Sequence, residues 1–401
     1  MIEAAVIGIG GFGAIHVADL KRQAEKGRVR LSAAVVRNPE RHASACAALR
    51  DIDCTLYTDW RAMLHERAGK LDLCTIPTSI HTHAALTIAA LEAGANVLVE
   101  KPAAATLGEI DAMRAAETAA GRFVAVGFQA LYDPVTLYIK QALLDGAIGD
   151  IQSMSCMGMW PRSDAYYARD WVGTLKLGEA WVLDSPFNNA MAHQVNLMCF
   201  LAGTELGESA NLKSTEANLM RARDIETTDT VALRIITSTG VPIHFFATHC
   251  SHESVDPEFV IRGRKGTIHW TLANVRLQRR GHGAEVFECL KGPPLRDALM
   301  DAVLERTAGH DQFVCGLDIA AVHTLCVAGA HLSATVHPFP KDLISRTPAG
   351  ESFNTVINGI DGVIRQAFEQ ERLFSEMDLP WAVPGTAVSL EQPGTITEAY
   401  R

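Results

Sequence analysis

Six residues near the amino terminus, Gly8-Ile9-Gly10-Gly11-Phe12-Gly13, carry the spacing G-x-G-x-x-G between an apolar run and a helical pattern. That spacing suits a dinucleotide. Gly8 permits the tight turn, and Gly10 lets a pyrophosphate approach the backbone. Gly13 lets the next helix lie close to the strand, with its terminal N–H groups aimed at the anion. Gly11 and Phe12 complete the loop. The following strand ends Val35-Val36-Arg37-Asn38. NAD sites usually place an acid here to hold the ribose 2'-hydroxyl, and Val36 stands in its place. Arg37 beside it can pair with a 2'-phosphate through two parallel hydrogen bonds. The reading is NADP, with Arg37 and Asn38 at the adenosine end, and NAD possible if Arg37 is merely solvated.

A second candidate is Lys101, in Val99-Glu100-Lys101-Pro102 at the end of another apolar run. Ligands of parallel sheets sit beyond the carboxyl ends of the strands, which puts this lysine at the nicotinamide end of a crevice. Pro102 biases it toward extended backbone. Partial desolvation facing a cationic ring would lower its pKa toward a working range, although a strand-end lysine can also be simply solvated. Further on, Ser185 and Pro186 read as the cap and first residue of a helix that Gly203 ends. Asn189 and His193 are four apart and share a face of it. Spacing alone suits a structural histidine as well as a chemical one. The run Trp160-Pro161-Arg162-Ser163-Asp164-Ala165-Tyr166-Tyr167-Ala168-Arg169-Asp170-Trp171 joins rings that stack on sugars to arginines that hold hydroxyls or a carboxylate. It could equally be a plain loop. His244, His249 and His252 lack ligand spacing, so no metal is expected.

These side chains need a frame. The 401 residues are 48% apolar and 20% charged, an ordinary globular composition for two or three domains. With 36 basic and 46 acidic residues the net charge is -10, which argues against nucleic acid as a partner. No apolar run approaches the roughly 18 residues that cross a bilayer. The first residues lack a signal-peptide pattern. Nine cysteines without a C-x-x-C pair read as reduced, buried thiols. The expectation is a soluble, cytoplasmic protein with a small-molecule substrate and no membrane partner.

Residues 1–130 alternate apolar runs (Ile2–Ile7, Arg30–Val36, Leu71–Ile76, Asn96–Val99, Phe123–Val126) with helical patterns (Gly13–Ala24, Thr82–Ala93, Thr106–Ala120). Alternation at this spacing means right-handed crossovers, hence an α/β Rossmann domain with a parallel, doubly wound sheet. Over 131–401 the rhythm changes. A helix at Asp133–Asp145 precedes strands at Ile151–Trp160, Thr230–Thr237, Ile243–Cys250, Glu258–Arg262, Thr267–Leu272 and Glu285–Cys289. Short turns between several of these imply an α+β domain with a large, mostly antiparallel sheet. Helical patterns follow at His310–Leu332 and Thr355–Phe374, then an irregular tail at Pro380–Pro393.

Three features together resemble the glucose-fructose oxidoreductase, inositol dehydrogenase and rhizopine-catabolism (Gfo/Idh/MocA) family. They are Gly8–Gly13 with His16 three residues beyond, the run Ile76-Pro77-Thr78-Ser79-Ile80-His81, and Glu100-Lys101-Pro102. The likeness continues through Gly146–Ile151 and Phe259–His269. It implies a substrate- and oligomer-forming sheet domain with an open face, and therefore a homodimer or homotetramer. It also implies NAD(P)-dependent hydride transfer on a sugar, cyclitol or sugar acid. Pro77, His81, Glu100 and Lys101 then line the cofactor. His193, ahead of Leu201-Ala202-Gly203, exchanges the hydroxyl proton; Lys101 stabilises the alkoxide and Asn189 orients the histidine. Arg162, Tyr166, Arg169 and Asn188 join them around the substrate. The family's sugar dehydrogenases place an aspartate where this chain has Asn189, and an amide cannot offset an imidazolium, so His193 would be a weaker base. The polar segment Asp184–Asn188 reads as an insertion. Two rival readings are a cofactor-retaining glycosidase or lyase, and a cofactor-sensing protein without catalysis.

Overall fold

The structure, a computed structural model, describes residues 1–400 and divides into two compact units. The first is built on β1 (Ile2–Ile7), β2 (Val29–Val35), β3 (Thr55–Tyr57), β4 (Leu73–Ile76), β5 (Asn96–Val99) and β6 (Val124–Val126). All six are parallel, in the order β3-β2-β1-β4-β5-β6. The reversal between β1 and β4 is the switch point at which such sheets open a crevice beyond the strand ends. β4, β5 and β6 are buried along their whole length, as strands covered on both faces require.

This unit comprises Met1–Ala104, Gly108–Asp133 and, from much later in the chain, Lys291–Ala321. The uninterrupted second domain expected over 131–401 is therefore divided. The returning segment supplies the helix Gly292–Thr307, packed on the helix Gly13–Glu25. Its acids recur every four residues, so Asp297, Asp301 and Glu305 share one face. Arg22 reaches Asp297 at 2.9 Å, and Arg28 binds both Asp301 and Glu305. Charge complementarity explains the return; apolar periodicity did not announce it.

The second unit is a sheet running Ala284–Glu288, Asn274–Arg279, Gly266–Trp270, Val255–Gly263, β7 (Ile151–Met159), Pro242–Thr248, Thr230–Thr237, Leu212–Arg221 and Val336–Pro338. All neighbours are antiparallel except β7 with Pro242–Thr248 and Leu212–Arg221 with Val336–Pro338. One face of the central strands carries the helix Ala192–Leu201. On the other, Met157, Met159, Phe246 and Val260 pack against Ile360, Ile364 and Phe368 of the helix Ile360–Gln370, and against Phe374. Trp381 closes the edge of this core. The face that the resemblance left open is thus covered by the chain's own carboxyl-terminal segment. Thr355–Phe374 is not one helix: a strand, Ser352–Ile357, runs to Gly359, whose φ of +85° turns the chain into the helix. Among the described residues, no helix is long and apolar enough to cross a membrane.

Lys140 is fully buried at the end of the helix Ala192–Leu201. Its Nζ donates to the carbonyls of Phe200 (2.5 Å) and Gly203 (2.6 Å) at the helix end and of Glu208 (3.3 Å) in the loop beyond. Burial pushes its pKa down to about 8. Lys140→Met is expected to cost about 3 kcal/mol in denaturant unfolding, because it strands buried carbonyls. Since the folded value lies below the ordinary 10.5, the native state holds fewer protons in that interval. Wild-type stability should therefore rise between about pH 8 and 10.5, a slope the variant lacks.

Candidate active site

In the first unit the glycine loop has the shape its spacing implied. Gly8 and Gly11 have φ of +97° and +55°, conformations that side chains rarely adopt. A Cβ on Gly13 would lie 2.3 Å from the Gly8 carbonyl oxygen, and one on Gly10 would meet the His42 ring at 3.0 Å. Pro77 packs beneath Gly13. The helix starts at Gly13 without a side-chain cap, and the Gly11 and Phe12 amides have no backbone acceptor among the described residues. Such a bare N-terminus fits a phosphate. Arg37 and Asn38 are exposed after β2, and Asn38 Oδ1 accepts from the Arg41 amide at 3.1 Å, capping the next turn. Sequence reasoning did not single out His42, because a histidine in a polar turn carries no pattern of its own.

At the end of β5, Lys101 is half-buried and the Lys101–Pro102 peptide is cis. Glu100, expected to line the cofactor, is a buried residue. The residue is 5% exposed, its carboxylate turned into a buried cluster, accepting from His16 Nε2 (2.9 Å) and Arg296 Nη1 (3.2 Å). Arg296 also donates to Asp19 at 2.8 Å, and its guanidinium lies 5.3 Å from the Phe12 ring centroid. Burial alone would raise the Glu100 pKa; the His16 hydrogen bond and the charges of His16, Arg296 and Lys101 outweigh it and hold the group at about 2. A buried guanidinium and a hydrogen bond from a buried imidazole draw the carboxylate inward. Its other oxygen accepts from the Lys101 amide at 3.2 Å, so it positions the lysine from behind. His83, buried, spans the carbonyls of Pro102 (2.8 Å) and Thr78 (3.0 Å), joining both crevice-lining turns. His81 is half-buried, and burial lowers its pKa.

In the second unit the expected helix from Pro186 is broken. Pro186–Ala190 forms a π turn, and the α-helix begins at Ala192, so Asn189 and His193 sit on separate segments. Ser185 does cap, accepting from the Asn188 amide. The Asn188 side chain is corrected from substrate to framework. It is 1% exposed, and its Nδ2 donates to the carbonyls of Val182 and Leu183, whose turn leaves them facing inward. Asn189 donates to Tyr166 Oη (3.1 Å) and Asp184 Oδ1 (3.0 Å). A carboxylate therefore does stand beside Asn189, supplied by Asp184, itself buried and accepting from the Gly173 amide at 2.7 Å. Its place in a polar segment was the only signal. Burial and this neighbouring charge push the Tyr166 hydroxyl up to about 12. His193 is the one residue of its ten-residue helix that is not fully buried. Arg162 and Arg169 flank the Tyr166 ring.

Comparisons with known proteins agree with this layout. Residues 2–128 match the Gfo/Idh/MocA oxidoreductase family model, described as an NAD-binding Rossmann fold, and residues 136–269 match the GFO/IDH/MocA C-terminal domain. Inositol 2-dehydrogenase 1 of Saccharopolyspora erythraea is 27% identical over 71% of this chain and 78% of its own length. Inositol 2-dehydrogenase of Klebsiella pneumoniae is 27% identical over 50% of this chain and 54% of its own length. Among solved structures, the WlbA dehydrogenase of Bordetella pertussis, in complex with NADH and UDP-GlcNAcA, shares the fold. Its TM-score is 0.67 at 22% identity, over 82% of this chain and 95% of that one.

Proposed function

Because the chain belongs to the Gfo/Idh/MocA family of oxidoreductases, we propose that it transfers a hydride between a nicotinamide dinucleotide and an alcohol or ketone carbon of a sugar, cyclitol or sugar acid. The observation that carries this reading is the Gly8–Gly13 cradle at an uncapped helix N-terminus, followed at β5 by a half-buried lysine. The naming of similar proteins as inositol dehydrogenases supports the substrate class.

Gly8, Gly10, Gly11, Phe12 and Gly13 receive the pyrophosphate, with Pro77 and His81 along the crevice. Bound there, the dinucleotide supplies or accepts the hydride. Lys101 stabilises the oxyanion that develops on the substrate oxygen, and His193 takes or returns its proton. Asn189 is held by Asp184 and Tyr166, so the carboxylate field missing from position 189 itself comes from a neighbour. A dimer or tetramer would need a surface other than the strand face under the helix Ile360–Gln370.

The decisive assay is a panel of sugars, cyclitols and sugar acids with each oxidised coenzyme, following reduced nicotinamide absorbance. Turnover of some member is expected. Bond cleavage with retained coenzyme and no net reduction would favour the glycosidase reading instead. NADP is the preferred coenzyme, since Val36 stands where an acid would repel a 2'-phosphate and Arg37 beside it is exposed. Arg37→Gln should shift the NADP-to-NAD ratio of kcat/KM by about 10–100-fold toward NAD, the worth of charge-assisted hydrogen bonds. An unchanged ratio would remove Arg37 from the site.

A further inference from the structure

The surface around Asn189 is more cationic than a neutral sugar needs. Arg162 and Arg169 lie on the Tyr166 ring at 5.2 and 4.2 Å, and each meets a second ring, Trp160 at 5.4 Å and Trp171 at 5.0 Å. Stacking occupies the faces of a guanidinium and leaves its edge to hydrogen bonding; Arg169 uses Nε on the Tyr166 carbonyl at 3.1 Å, and the donors that remain match a carboxylate or phosphate edge. Among the described residues, neither arginine has a carboxylate at ion-pair distance. Three nearby acids are committed elsewhere: Asp164 to Arg346 and Arg223, Asp184 to Gly173 and Asn189, Asp229 to the amides of Ala222 and Arg223; Asp170, next to Arg169 in the chain, is exposed and at ion-pair distance from neither arginine.

A second observation points the same way. Arg162 Nε is buried without a hydrogen-bond partner. His249, 2% exposed, meets the Tyr167 hydroxyl through Nδ1 at 3.1 Å, while its Nε2 is buried and unpartnered. Its ring lies 5.8 Å from that of Tyr166. Arg162 Nε is a buried donor without an acceptor, and His249 Nε2 is a second one when the Tyr167 hydroxyl donates to Nδ1; such donors are uncommon in native proteins, and an incoming ligand is one way to satisfy them.

We propose that Arg162 and Arg169, with His249 behind them, receive an anionic group on the substrate, so that the protein selects a sugar acid or sugar phosphate over the neutral parent. This rests on the reading above that Asn189 and His193 mark the substrate end of the unit.

The test is equilibrium binding by calorimetry on the whole chain, independent of turnover. The probes are D-glucose, D-glucuronate and D-glucose 6-phosphate, with D-galactose and D-galacturonate as a second set. At least one charged probe is expected to bind about 10–100-fold more tightly than its parent, and the carboxylate and phosphate arms identify which anion is meant. Arg162→Gln and Arg169→Gln, with unfolding midpoints confirming that each folds, should each erode that ratio by about tenfold. Charged probes that bind no better than their parents, or a ratio untouched in both variants, would overturn the proposal. Selective anion binding without coenzyme reduction in the panel assay would sustain this inference and refute the dehydrogenase reading. Equal reduction with neutral and charged members, without selective binding, would do the reverse.

Discussion

Lys101→Ala lowers kcat/KM by about 10²–10⁴-fold, the range for a group acting on a developing charge or its proton, and leaves the unfolding midpoint unchanged. The size follows from how firmly the lysine is placed. Its amide is held by Glu100 at 3.2 Å, and the next carbonyl, that of Pro102, is held by His83 at 2.8 Å. The ammonium at the end of β5 is therefore delivered by a fixed backbone rather than a mobile loop. Its half-burial weakens solvent screening of an oxyanion beside it. Lys101→Arg keeps the charge but alters its shape and reach, and should recover part of the loss. Steady-state rates of nicotinamide absorbance, with thermal denaturation of each variant, separate this from a folding defect. Full turnover by the alanine variant would end the assignment.

Arg296→Met is expected to destabilise the first unit by about 3–5 kcal/mol, because it leaves Glu100 and Asp19 buried without their shared cation. Denaturant unfolding measures the cost. Loss of the guanidinium over Phe12 should also weaken dinucleotide affinity, through the loop rather than by direct contact. The same cluster sets an acid limit. The Glu100 carboxyl is held at about 2 in the folded state against an ordinary 4.5. A lowered carboxyl contributes stability above its unfolded value and loses it as pH falls toward the folded one. That contribution is about 3 kcal/mol, present above about pH 4.5 and gone near pH 2. Glu100→Gln should flatten that part of the pH–stability curve; an unaltered acid limb would contradict the ion-pair account.

The parts visible in the sequence are those fixed by local chemistry. Gly8, Gly10 and Gly13 could be read as required glycines from their spacing, and the buried parallel strands had to read as apolar runs. Thr230–Thr237 was recognisable from its β-branched residues. Leu212–Arg221 was not, because Lys213, Glu216, Asn218 and Arg221 suit turns or helices and only pairing with Thr230–Thr237 makes it a strand. The return of Gly292–Thr307 depends on Arg22 and Arg28, some 270 residues away, where no local rule reaches. In the candidate site, the single helix expected to carry Asn189 and His193 was not legible correctly, because a π turn at Pro186–Ala190 precedes the helix that starts at Ala192. The burial of Glu100 and Asn188, and the carboxylate that Asp184 lends to Asn189, depend on three-dimensional partners: Arg296 and His16 in one case, the 182–183 turn and Tyr166 in the others.

The most direct measurement is a fluorescence titration of the purified chain with NADPH and with NADH. Saturable binding of one dinucleotide per chain, tighter for NADPH and abolished by Gly13→Val, is the predicted result. A chain that leaves the fluorescence of both coenzymes unaltered at millimolar concentration would contradict the account.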